Sequence, residues 1–152
     1  VGIDVEYVTI DPVCVNGQRC EGFCAFSDRV NQDLVNDPDT WLDRFVKAML
    51  AGEMSDKLLL GDEIPQDIRG SWAGDSNTMM DRVRDLRQFS SWPECKKWLD
   101  GMREEVRQIL SDPKTEAGVI AVAALLLRHR RVTGEHVRTV FLQFSTDRKT
   151  GT

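Results

Sequence analysis

The run from Ala117 to Leu127 constrains this chain most: eleven consecutive residues with no charged or hydrogen-bonding side chain. As a helix of about 1.5 Å rise per residue, the run is far shorter than the ~20 apolar residues of a membrane span. A helix that is apolar on every side needs neighbours on every side, or a partner for the side its own fold leaves open. The expectation is therefore a central core helix over residues 117–127, whose Ala and Gly residues let other helices approach closely.

The flanking sequence supplies those neighbours. Asp37-Pro38 reads as a helix start, with the Asp carboxylate accepting from free backbone amides and Pro at the first helical position, where its missing N–H costs nothing. Trp41, Leu42, Phe45, Val46, Met49 and Leu50 then follow the 3.6-residue period, and Gly52 offers the left-handed residue that ends a helix. Ser55 to Leu60 reads as a further short helical piece stopped by Gly61. Residues 62–74, with Pro65, Gly70 and Gly74, read mainly as loop. Met79, Val83 and Leu86 mark another helix. Ser91-Trp92-Pro93-Glu94 fits a capping box, opening a helix whose buried face is Cys95, Trp98, Leu99, Met102, Val106, Ile109 and Leu110. Beyond Thr133-Gly134, Val137, Val140, Phe141 and Phe144 favour a helix, although Val140, Leu142 and Phe144 also suit a strand.

The N-terminal thirty residues differ in character. Ile3 to Ile10 is rich in β-branched residues and begins as an alternation of apolar and acidic side chains, which predicts a half-buried strand. Asn16-Gly17, set between Val13-Cys14-Val15 and Gln18-Arg19-Cys20, predicts a two-residue hairpin turn. The fold expected is α+β and predominantly α-helical: about five helices packed around the 117–127 helix, with an N-terminal β-hairpin. One globular domain over 1–152 is expected, comprising a β-rich segment (1–30), a helical body (37–144) and a basic tail (145–152). Its predicted core includes Phe45, Met49, Leu86, Trp98, Leu99, Val106, Ile120, Leu125 and Phe141.

Val1 is not Met, and the residues after it lack the basic start and apolar run of a signal peptide. The expectation is a processed product or excised piece of a larger protein, a viral one among the options, in a reducing intracellular setting. Cys14, Cys20 and Cys24 could then offer three thiolates to zinc, with His129 or else His136 as fourth ligand, though the five-residue gap after Cys14 is wider than a zinc knuckle. The competing reading is small apolar side chains on a hairpin. Neither Cys95, on a buried helix face, nor any other cysteine has a histidine placed beside it by the sequence. The phosphate-loop, His-Glu-x-x-His and Gly-x-Ser-x-Gly motifs are missing, so no catalytic residues are assigned.

Charge is uneven: residues 1–112 carry a net −9 and residues 113–152 a net +4. Arg128, Arg130, Arg131 and Arg138 form the basic segment, able to meet a protein partner or phosphate backbones, and equally to complement a helix C-terminus. Trp72, on a Gly-rich stretch, is a candidate interface anchor. The function expected is a non-catalytic protein interaction or assembly module, acting on a protein partner or on itself. RNA or DNA binding through the basic segment is the alternative, and an enzyme of unrecognised family the third.

Overall fold

The computed structural model describes residues 4–15, 17–20, 22–27, 34–61 and 65–145. Asn16, Asp62 to Ile64 and the basic tail from residue 146, with Arg148 and Lys149, lie outside them. The described residues form a mostly helical α+β structure, with five helices of 12 to 23 residues and short antiparallel strands near the N-terminus. The described backbone falls into two compact units: one within residues 34–110, and one formed by residues 4–27 with 111–145.

The regular elements described in the first unit are all helices. Helix α1 spans Pro38–Leu60, capped by the Asp37 carboxylate on the Thr40 amide at 3.1 Å. Helix α2 spans Gln66–Leu86 and α3 spans Trp92–Leu110. Helix α1 packs against both others. The core joins Trp41, Leu42, Phe45, Val46 and Leu50 of α1 to Met79 and Val83 of α2 and to Cys95, Leu99, Met102 and Val106 of α3. The spacing of three and four along α3 turns one face inward, and burying each large side chain stabilises by roughly 1.5–3 kcal/mol. Trp41 and Phe45 stack with ring centroids 4.9 Å apart.

Two boundaries differ from the sequence reading. Helix α1 runs straight through Gly52 and stops at Gly61, whose φ of +63° lets its N–H donate to the Lys57 carbonyl. A glycine inside a helix costs only about 1 kcal/mol, well below what the inward face of α1 contributes. For the same reason, the stretch read as loop is helical from Gln66 onward, passing Gly70 and Gly74. Pro65 sits just before the helix, where its ring is harmless.

The second unit combines strands and helices. Strand β1 (Val5–Thr9) lies between β4 (Phe23–Phe26) and β5 (Arg131–Thr133), antiparallel to each, so that Val8 faces Cys24 on one side and Val132 on the other. The expected hairpin is present as β2 (Val13–Val15) paired with β3 (Gln18–Cys20), with Gly17 at φ +81°. Helix α4 spans Pro113–His129 and α5 spans Gly134–Ser145, packed on each other and on the sheet. The last element is thus a three-residue strand followed by a helix. The Thr133 side chain accepts from the His136 amide at 3.3 Å and marks the switch.

The core list divides accordingly. Phe45, Leu99 and Val106 are buried, while Met49, Leu86, Trp98, Leu125 and Phe141 are half-buried. Ile120 is 55% exposed, which corrects the picture of a helix enclosed on all sides.

Candidate contact surface

Helix α4 is held firmly at both ends. The Asp112 carboxylate accepts from the Thr115 amide at 3.3 Å and from its hydroxyl at 3.2 Å, and Pro113 takes the first turn. At the other end Arg130 adopts φ +60°, and its N–H donates to the Leu126 carbonyl. The Arg130 carbonyl in turn accepts from the Ile10 amide at 2.9 Å and the Thr9 hydroxyl at 3.1 Å, anchoring the helix end to β1.

One side of α4 faces its own unit. Gly118 is buried, and a Cβ placed there would come within 2.9 Å of the Phe141 ring. The opposite side carries Glu116, Ile120, Ala123, Ala124, Leu127 and Arg128, all exposed, with Leu127 at 75%. Their spacing of three and four makes a continuous stripe whose apolar middle, Ile120 to Leu127, is about two turns long, with a carboxylate at one end and a guanidinium at the other. The apolar run thus has two faces, one packed and one open. Periodicity could not separate them, because every position is apolar.

The basic residues divide just as unevenly. Arg130 pairs with Asp11, and Arg138 with Asp4 at 2.6 Å. The Arg131 guanidinium lies 3.8 Å from the centroid of the Tyr7 ring, a cation–π contact. Among the described residues, neither Arg128 nor Arg131 has a carboxylate partner. Trp72 belongs to the other unit and is tied into it: its indole N–H donates to Asp56 at 2.9 Å, and the Lys57 ammonium stands 5.4 Å from its ring. It is a half-buried member of its own helix pair.

The proposed zinc ligands are not brought together. Cys14 is exposed on β2, Cys20 lies on β3, Cys24 on β4, and His129 at the exposed end of α4. Among the described residues no three His, Cys, Asp or Glu side chains converge to hold a metal ion. Desolvation raises the thiol pKa of Cys24 and of buried Cys95, the opposite of what a nucleophile requires. His129 and His136 are both exposed.

A shallow groove of about 340 Å³ lies in the first unit between Phe89, Trp98 and Met102, with Arg87 stacked 4.8 Å from the Trp98 ring. Its charged rim is largely satisfied from within. Arg87 pairs with Asp43, Glu105 with Lys47, and Glu94 accepts from the Ser90 amide. The sequence reading missed this groove, because Phe89 lies between helices and Trp98 reads as core. No helix among the described residues is long and apolar enough to cross a membrane. No protein-family model, curated protein or solved structure matches the chain.

Proposed function

We propose that this chain is a non-catalytic protein contact module and that the outward stripe of α4 is its contact surface. The observation that carries the reading is the pair Ile120 and Leu127, 55% and 75% exposed on a helix capped at both ends. A helix capped at both ends that turns two large aliphatic side chains and two alanines outward keeps apolar surface in water. Covering it stabilises by about 25 cal/mol per Å² removed from water. The basic segment is read as part of the same contact, since Arg128 stands at the end of the stripe while Arg130 and Arg138 face Asp11 and Asp4.

The test is the pair of substitutions Ile120→Gln and Leu127→Gln, which keep helix propensity and remove the apolar stripe. Most of each side chain is already in water, so folding stability should fall by less than about 2 kcal/mol for the two together. Chemical cross-linking of the chain to protein should be lost. A large loss of stability would show that these residues serve the core, and unchanged cross-linking would place the contact elsewhere.

A further inference from the structure

The stripe on α4 carries a pattern that reads the same in both directions with the charge reversed. Ala123 and Ala124 stand at its middle. Ile120 lies three residues before the first alanine and Leu127 three after the second. Glu116 lies seven before the first alanine, and on the other side Arg128 stands in the last turn of the helix, with Arg131 just beyond it at the start of β5. Ile120, Leu127, Glu116, Arg128 and Arg131 are all exposed. Glu116 has no cationic partner among the described residues, and the Arg131 guanidinium lies over the Tyr7 ring.

We infer that this face takes a second copy of the chain, with the two α4 helices antiparallel about a two-fold axis at Ala123–Ala124. The inference rests on the reading of the stripe as a protein contact and names its partner. In an isologous contact every residue meets the mirror position of its twin. Ile120 therefore packs on the twin's Leu127, and the alanines at the crossing let the backbones approach closely. Glu116 meets the guanidinium end of the twin helix, and the same ion pair forms again at the other end. A parallel pairing would set Glu116 beside Glu116 and arginine beside arginine. The antiparallel one also brings each helix N-terminus to the twin's C-terminus, where the dipoles attract. A partner of unrelated sequence would have to supply this complementarity, whereas a second copy already has it.

One helix face little more than three turns long is smaller than the ~800 Å² per partner of a stable interface, so the dimer is expected to dissociate on the order of 10–100 μM. Sedimentation equilibrium of the full chain from about 5 to 500 μM tests this, with Glu116→Arg, the pair Arg128→Glu and Arg131→Glu, and all three changes combined. Either charge reversal should weaken the dimer at least about tenfold, and the combined variant should recover to within about threefold of the original. Recovery cannot arise from misfolding, because the combined variant carries every change.

A chain that stays monomeric at 500 μM, or a dimer indifferent to all three variants, overturns the inference. The mass of photo-adducts from p-benzoylphenylalanine at Leu127 separates the two readings. Adducts of twice the 17.3 kDa chain agree with self-pairing. Adducts of any other mass overturn self-pairing and leave the contact surface standing, and no protein adduct overturns both.

Discussion

Gly134, where β5 turns into α5, is the position at which a single methyl group should do the most damage. An ideal Cβ built there lies 1.6 Å from the Val5 carbonyl oxygen. Real Cβ atoms essentially never come within 3.0 Å of such a neighbour, and the obstacle is backbone, which no rotamer change can move aside. Gly134→Ala must therefore push α5 away from β1 by well over an ångström. That separation disturbs the pairing of β1 with β5 and the packing of Phe141 on Gly118. Overpacking against side chains costs about 1–3 kcal/mol, so a backbone clash should cost at least about 3 kcal/mol. For a chain of 152 residues that unfolds cooperatively, that corresponds to a fall of roughly 6–12 °C in Tm. Thermal unfolding followed by far-ultraviolet circular dichroism, with guanidinium titration as a second measure, gives the difference. A loss below about 0.5 kcal/mol would refute the close approach of α5 to Val5.

The remaining expectations are smaller. Gly52→Ala should stabilise the chain by about 0.5–1 kcal/mol in the same melts, because an added Cβ meets nothing within 4 Å and the glycine lies inside a helix. Arg130→Gly should raise stability by up to about 1 kcal/mol. It relieves a positive φ that costs a side chain roughly 1–2 kcal/mol, while the exposed bridge to Asp11 is worth less than about 1 kcal/mol. A lower Tm would show that bridge to be the stronger term. The Arg107 guanidinium and then the Gln108 amide hold the Glu104 carboxyl down to about 2 from 4.5. Its folded pKa is depressed, so its contribution is present above about pH 4.5 and lost as pH falls toward 2. Tm should consequently decline less over that window for Glu104→Gln than for the unaltered chain.

Much of the fold was legible because single residues enforce local geometry. Asp37-Pro38, Ser91 with Glu94, and Gly17 each satisfy or redirect specific backbone groups, and the elements they open stand at Pro38, Trp92 and the β2–β3 hairpin. Glycine and proline misled where tertiary burial outweighed propensity. Gly52, Gly70 and Gly74 each cost about 1 kcal/mol in a helix, and none of them ends one. Strand β5 went unread because Arg131–Thr133 is three residues long and exists through pairing with β1, more than 120 residues earlier. For the contact surface, the helix was legible and its open side was not, since Ile120 and Val122 look alike until Phe141 is placed against Gly118. The arginines were visible as a cluster, whereas their division into paired and unpaired members depends on Asp4, Asp11 and Tyr7 from the other end of the chain.

The most direct test of the central claim is site-specific photo-cross-linking with p-benzoylphenylalanine at Leu127, compared with the same probe at exposed Gln108 on α3. If the outward stripe of α4 is a protein contact, irradiation yields covalent protein adducts from position 127 and essentially none from 108. Equal yields from both positions, or none from 127, would contradict it.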